Sequence, residues 1–130
     1  MVEEENPRHD QEDVTAEIME AGVYTWLLSQ NILYGDTLIA SLFGLDPEET
    51  TRGLPIEAYL ARVHEEDIKT ARRLINKAVL DGLPYQTEYR VMNAQGHYQL
   101  VIALGRCFHD RNAMPVIYSG LVYPIDQLEE

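Results

Sequence analysis

The sequence is poor in cysteine, in basic residues and in long apolar runs, and each shortage excludes a class of protein. One cysteine, Cys107, stands among 130 residues, so an internal disulfide framework is excluded and a reducing compartment is favoured. No stretch approaches the ~20 apolar residues that cross a bilayer, and residues 1–20 lack the basic start and apolar core of a secretory signal. We therefore predict a cytoplasmic protein without a membrane segment.

The shortage of positive charge argues against two kinds of partner. Ten Lys and Arg residues face 22 Asp and Glu residues, which gives a net charge of −12. Nucleic acids and anionic membranes both attract clustered basic residues, so neither is expected to bind. Residues 1–20 carry −7 of this charge, which leaves −5 for the other 110 residues. The acidity therefore belongs mainly to an acidic leader.

Residues 85–126 contain most of the strand signals. Runs rich in β-branched and aromatic residues predict three antiparallel strands there, joined by tight turns at 93–96 and 110–113. Two more strands are predicted at 23–28 and 31–35.

Apolar residues at helical spacing predict the helices. Before the first strand, Val14, Ile18 and Ala21 indicate a short amphipathic helix over residues 10–21. Between the strand groups, four helical pieces are predicted: one from Asp36 to Gly44, one starting at Asp46-Pro47, one over 55–63, and the longest over 66–80. Because the helices do not alternate with the strands, we predict an α+β fold, in which a five-stranded antiparallel sheet has its helices mostly on one face.

Several short motifs occur in an order that resembles a PAS domain. They are Tyr24-Thr25-Trp26, Leu42-Phe43-Gly44-Leu45, His64-Glu65-Glu66-Asp67, Glu88-Tyr89-Arg90-Val91, Gly105-Arg106 and the final Pro124-Ile125-Asp126. The resemblance covers about residues 22–126, which leaves residues 1–21 as the acidic leader with its cap helix and 127–130 as a tail. It implies a signal-transduction module that senses or binds in a cleft between sheet and helices, or dimerises, and that signals to a protein such as a histidine kinase or response regulator.

The same resemblance assigns residues to the cleft. The cleft positions that it implies are Tyr89, Val91, Val101, Ala103, Gly105, Tyr118 and Gly120. The face is mostly apolar, and its small residues would leave room for a small apolar or aromatic ligand. The alternative is a cleft filled by its own side chains, since protein interiors pack to crystal-like density.

The opposite face of the sheet is predicted to be too apolar to face water. By alternation it carries Leu100, Ile102, Leu104, Ile117, Leu121 and Tyr123. We expect the helix bearing Val14 and Ile18 to cover it together with a second copy of the chain, in a homodimer; the alternative is a monomer with the helix alone as lid.

Sequence features give no support for a cofactor, metal or catalytic residue. Flavin-type photosensing members carry a cysteine-containing motif, whereas residues 46–66 contain no cysteine. Haem requires an axial ligand, but His64 begins the long helix and is interpreted as structural. Cys107 and His109 share one strand face without the contact that a catalytic pair needs, and the four histidines show no zinc-site spacing. The remaining alternative is a small enzyme resembling the cone-shaped isomerases, which would need a carboxylate or histidine dyad in the cleft.

Overall fold

A computed structural model describes residues 20–125, which form a five-stranded sheet and four helices. In chain order these are β1 (Gly22–Leu27), β2 (Ile32–Gly35), α1 (Thr37–Phe43), α2 (Pro47–Arg52), α3 (Ile56–Leu60), α4 (Ile68–Asp81), β3 (Tyr85–Met92), β4 (Tyr98–His109) and β5 (Pro115–Pro124). The predicted α+β class is confirmed. The tail at 127–130 and nearly all of the helix predicted over 10–21, with Val14 and Ile18, lie outside the described residues.

The sheet is entirely antiparallel, in the order β2-β1-β5-β4-β3. The first and last strands are neighbours, with Gly22 opposite Val122 and Leu27 opposite Ile117. β4 is the longest strand and pairs with both β3 and β5. The chain between β2 and β3 contains all four helices of the described region, and these pack on the face that carries Val101 and Val122. We call this the cleft face and the opposite one the outer face.

Capping residues set the starts of α1 and α2 as the sequence predicted. The Asp36 carboxylate accepts a hydrogen bond from the Ile39 backbone N–H at 2.9 Å, and Gly44 ends α1 in the left-handed region at φ 64°. Asp46 caps α2 in the same way, through the N–H of Glu49 at 3.0 Å. Asp36 also accepts from the backbone N–H of Val23 at 3.0 Å, so one side chain fixes α1 to β1.

The longest helix begins two residues later than the expected start at Glu66. Residues 65–67 form a turn, and α4 starts at Ile68. Asp67 occupies the cap position without capping the helix, because its carboxylate binds Arg90 instead. A long-range interaction therefore replaces the local one.

Both predicted hairpin turns use one aspartate or asparagine to close the loop. The Asn93 side-chain oxygen accepts from the backbone N–H groups of Gln95 and His97, each at 3.0 Å. Asp110 does the same for Asn112 at 2.8 Å and Met114 at 3.0 Å. These local bonds are the reason such residues favour turns.

The main core lies between the cleft face and the first three helices. Its buried members are Leu33, Ile39, Leu42, Phe43, Tyr59, Val91, Val101 and Val122. A second cluster, made of Ala78, Cys107 and Tyr118, lies under α4. In the part of the chain that the structure describes, no helix is both long and apolar enough to span a membrane.

Candidate functional site

A cavity of about 70 Å³ lies between the cleft face and the helices. The sheet contributes Tyr24, Trp26, Leu33, Tyr85, Thr87, Tyr89, Ala103, Tyr118 and Val122, and the helical side contributes Ile39, Phe43, Ile56, Tyr59, Leu60, Val63, Ala71, Leu74 and Ile75. The wall is therefore aliphatic and aromatic, with phenol and threonine hydroxyls and the Trp26 indole N–H as its polar groups.

Two glycines bring the helical layer close to the strands at one end of the cavity. A Cβ atom on Gly22 would lie 2.7 Å from Ile39 Cγ1, and one on Gly35 would lie 2.6 Å from Ile39 Cγ2. Both distances are too short for carbon atoms, so glycine is required for α1 to seat Ile39 against β1 and β2. Ile39 is 1% exposed as a result.

Aromatic rings form two groups around the cavity. Tyr24 and Tyr118 stack with ring centroids 6.2 Å apart, and Trp26 meets Tyr118 edge-on at the same distance. In the second group, Phe43 packs edge-on against Tyr59 at 5.6 Å and tilts towards Tyr89 at 6.4 Å. Such offset and edge contacts are favourable between aromatic rings, and they hold the walls in defined positions.

The phenols on the cavity wall have raised pKa values because they are buried. Burial, and then the charges that Tyr118 and Tyr89 would carry, raises the pKa of Tyr24 well above its ordinary value. Burial raises the pKa of Tyr59 to about 12, and it also raises the pKa values of Tyr89 and Tyr118. All four phenols are therefore neutral at physiological pH and act as hydrogen-bonding groups.

Two of these hydroxyls bind backbone carbonyls. Tyr24 donates to the carbonyl of Leu104 at 3.1 Å, and Tyr59 donates to that of Leu33 at 2.8 Å. The first bond ties the Tyr24 ring of β1 across β5 to β4, and the second ties the Tyr59 ring of α3 to β2.

The seven predicted cleft residues occupy three kinds of position. Tyr89, Ala103 and Tyr118 line the cavity. Val91 and Val101 are fully buried in the adjacent core. The space above Gly105 is occupied by the Tyr24 hydroxyl and the Tyr118 ring, and the Cβ direction of Gly120 points at the Leu104 carbonyl within the sheet. These two glycines therefore admit close packing rather than open volume.

Sequence reasoning did not identify the cavity residues on the helical side or on β1. In the sequence, Phe43 and Trp26 stand out only as members of the PAS-like motifs, and Tyr59 and Ile75 lie only within the predicted helices over 55–63 and 66–80. The aromatic pair in Tyr24-Thr25-Trp26 was the available signal, because alternate residues of a strand share one face.

The six predicted outer-face residues of the sheet do lie together on one face. Leu104 pairs with Leu121 across β4 and β5, and Ile102 pairs with Tyr123. All six, Leu100, Ile102, Leu104, Ile117, Leu121 and Tyr123, are half-buried. Phe108 extends the patch at 48% exposure, with the Arg106 guanidinium 4.9 Å above its ring.

The motif residues His64, Asp67 and Arg90 form a clasp outside the cavity. Arg90 binds Asp67 through Nε at 2.9 Å, Nη2 at 2.8 Å and its backbone N–H at 2.8 Å. The Arg90 side chain, more than any other group, holds the pKa of Asp67 below its ordinary value. His64 Nδ1 accepts from the Glu66 N–H at 3.0 Å, and its ring packs 4.6 Å from Tyr98. These contacts give the clasp a structural role.

The remaining chemically active side chains do not converge. Cys107 is buried, and burial raises the pKa of its thiol. His109 Nε2 instead contacts the Val79 carbonyl at 2.9 Å. Within residues 20–125, no group of three or more His, Cys, Asp or Glu residues has the geometry of a metal site, and the cavity lining contains no carboxylate or histidine.

Comparison with solved structures finds the same fold in sensory proteins. The N-terminal domain of a diguanylate cyclase with a PAS/PAC sensor, from Marinobacter aquaeolei, matches with a TM-score of 0.74 and 18% identity, over 85% of this chain and 99% of that one. A sensory box histidine kinase/response regulator from Burkholderia thailandensis matches with a TM-score of 0.74 and 16% identity, over 92% and 86% of the two chains. The PAS-B domain of Drosophila melanogaster Cycle, with bound ethylene glycol, matches with a TM-score of 0.64 and 13% identity, over 80% and 99%.

Comparisons of sequence agree with the fold. The curated proteins contain no sequence that matches. A family model described as the PAS fold matches residues 32–122, which is more than half of the chain. With the motifs, the sheet order and the cleft already described, this match shows that the chain belongs to the PAS fold family.

Proposed function

We propose that this domain is a non-catalytic sensory module that binds a small molecule in the cavity between sheet and helices and transmits its state through the outer face. The cavity itself is the observation that carries the proposal. Its wall combines rigid aromatic rings with a few hydroxyls, which is the usual character of a small-molecule site. The Drosophila PAS-B domain with bound ethylene glycol is a related fold that holds a small ligand.

Native mass spectrometry of freshly purified protein tests the ligand. We expect a small mass to remain bound to the wild-type chain and to be lost from Ala103→Leu, which fills the cavity from β4. Ala113→Leu, on the exposed β4–β5 turn, is the matched control and should retain the mass. Retention of the same mass by Ala103→Leu would contradict binding in the cavity.

The outer face supports dimerisation. Six large apolar residues of this face are only half-buried, and exposed Phe108 and Val23 extend the patch. A contiguous apolar patch of this kind marks an interaction surface. We propose that the amphipathic segment carrying Val14 and Ile18 and a second copy of the chain together cover it.

Light scattering across a dilution series tests the homodimer. Leu104→Glu places a charge at the centre of the outer face and should give a monomer. Leu80→Glu is the matched control, because Leu80 lies on α4 and is already 81% exposed, and it should leave the dimer intact. A monomeric wild-type protein, or equal effects of both substitutions, would contradict the proposed interface.

The same proposal places the domain in the cytoplasm, upstream of a signalling effector such as a histidine kinase or response regulator. The histidine kinase/response regulator from Burkholderia thailandensis shares its fold, and the lone buried cysteine suits a reducing compartment. Isothermal titration calorimetry against the histidine kinases and response regulators of the source organism checks this context. Failure of all of them to bind would contradict it.

A further inference from the structure

The charge of the cavity lining restricts what can occupy it. None of the described residues whose side chains line the cavity is an acid, a lysine or an arginine. Moving an unpaired ion from water into such surroundings costs far more than moving a neutral polar group. A carboxylate, phosphate or ammonium ligand would find no counter-charge on this wall.

The Tyr89 hydroxyl is a polar group of the wall that is left open for a ligand. The Tyr89 hydroxyl makes no hydrogen bond with any residue of the described range 20–125. Every fully buried side-chain nitrogen or oxygen in that range does have a partner, so this hydroxyl must reach open space. Its ring lines the cavity beside Phe43, with the ring centroids 6.4 Å apart, so the cavity is the space in which this hydroxyl can meet a ligand.

Neighbouring phenols add polar groups to the cavity wall. Tyr24 and Tyr118 stack with ring centroids 6.2 Å apart, and both line the cavity together with Tyr89. Tyr24 donates its proton to the Leu104 carbonyl and shares a hydrogen bond with Tyr118, so both of these hydroxyls are engaged. The Tyr89 hydroxyl offers a donor and an acceptor of its own, while Phe43 and Ile56 give the cavity apolar walls.

The volume sets an upper limit on size. A dry cavity of about 150 Å³ admits benzene, and this cavity measures about 70 Å³. It accommodates a molecule of only a few non-hydrogen atoms without movement of its walls.

We propose that the cavity selects a compact, electrically neutral molecule that has an apolar part and one hydrogen-bonding group, and that Tyr89 binds this group. This inference rests on the proposed ligand-binding function and narrows it to one chemical class.

Four planar probes of the same Y shape separate charge from shape: acetone, acetamide, acetate and guanidinium. Xenon serves as an apolar probe of the same cavity. Binding is measured from the shifts of the Thr87 and Ala103 backbone amides in two-dimensional NMR spectra of the full chain. We expect saturable shifts with acetone and acetamide, and none with acetate or guanidinium.

Two tyrosine variants test the assigned residue. Tyr89→Phe removes only the open hydroxyl and should weaken acetamide binding about three- to tenfold, which is the worth of one hydrogen bond. Tyr34→Phe removes the hydroxyl of an exposed tyrosine on β2 and should leave binding unchanged. The dispersion of each spectrum reports whether the variant is folded, and the wild-type probe series tests the chemical class by itself.

The possible results distinguish this inference from the function on which it rests. Binding of acetate or guanidinium as strong as that of acetamide, or binding of xenon alone, would overturn the neutral polar class. Ligand binding in the cavity would still stand. Wild-type acetamide affinity in Tyr89→Phe would overturn the assignment of Tyr89. No shift with any probe, xenon included, would overturn both this inference and ligand binding in the cleft.

Discussion

The two faces of the sheet are built from the same strands but from different side chains. On β4, Val101 and Cys107 point to the cleft face and are 0% and 2% exposed, whereas their neighbours Ile102 and Phe108 point outward and keep contact with solvent. The cleft face adds the phenols of Tyr24, Tyr89 and Tyr118, while the outer face adds aliphatic residues such as Leu104 and Leu121. The cleft face is thus completed by the domain's own helices, and the outer face still has apolar surface to offer a partner.

Alkaline pH should give the largest effect, because the phenols around the cavity lose their protons there and the fold loses stability. Tyr24, Tyr59, Tyr89 and Tyr118 have folded-state pKa values above their ordinary value of 10.0. The folded state holds these protons more tightly than the unfolded state, so their stabilising contribution is complete below pH 10. It is lost as pH rises further, and for Tyr59 the loss continues up to the folded-state pKa of about 12. Each group lowers the free energy of unfolding by about 1.4 kcal/mol per pH unit within its interval.

Urea unfolding midpoints across this alkaline interval measure the effect. Tyr59→Phe should reduce the slope of stability against pH, whereas Tyr98→Phe should not, because Tyr98 lies on the outer side and is 49% exposed. A stability that does not change above pH 10 would show that the phenols ionise freely, and the contrast between the faces would fail.

A pair of adjacent core and outer-face truncations should give the next largest effect. Val101→Ala removes two carbons from a fully buried site and should lower the free energy of unfolding by about 2–3 kcal/mol. Ile102→Ala removes three carbons from the outer face and should cost about 1 kcal/mol or less at dilutions where the monomer prevails. The smaller deletion is thus expected to cost more.

Chemical denaturation at two protein concentrations distinguishes the causes. An effect of Ile102→Ala that grows with concentration supports an outer face buried by a second copy. Equal costs of the two substitutions at the lower concentration would mean that the outer face is as well packed as the core.

The alternation of side chains made the two faces predictable from the sequence. A strand with period two assigns Leu100, Ile102 and Leu104 to one side wherever the strand lies, and the hairpin turns fix the register. The capping residues Asp36 and Asp46 likewise fixed the starts of α1 and α2, because capping is a local interaction.

The shape of the cavity was not predictable in this way. Whether a gap remains depends on how side chains of separate layers interlock to within a fraction of an ångström. Gly105 illustrates this, since its missing side chain makes room for Tyr24 and Tyr118 instead of a ligand. Ile75 on α4 lines the cavity, but the helical period that predicts α4 cannot identify what its apolar side faces.

The smallest effect is expected at the clasp, which joins β3 to the turn before α4. Arg90 projects from β3 and binds Asp67, which lies in the turn before α4. Asp67→Asn removes the charge but keeps the shape, and it should lower the free energy of unfolding by about 1 kcal/mol, a value discounted for the partial exposure of the pair.

The pKa of Asp67 is held low mainly by the Arg90 side chain, so this contribution is present above the ordinary value of 3.8 and is lost as pH falls through the lowered folded-state pKa. Thermal unfolding at neutral and acid pH should therefore separate wild type from Asp67→Asn at neutral pH and bring them together in acid. Glu66→Gln is the control, because Glu66 contacts Arg90 at 3.3 Å from a side chain that is 70% exposed, and it should behave as wild type. If both substitutions had the same effect, Arg90 would be held by diffuse surface charge, and the turn would not be clasped to the sheet by Asp67.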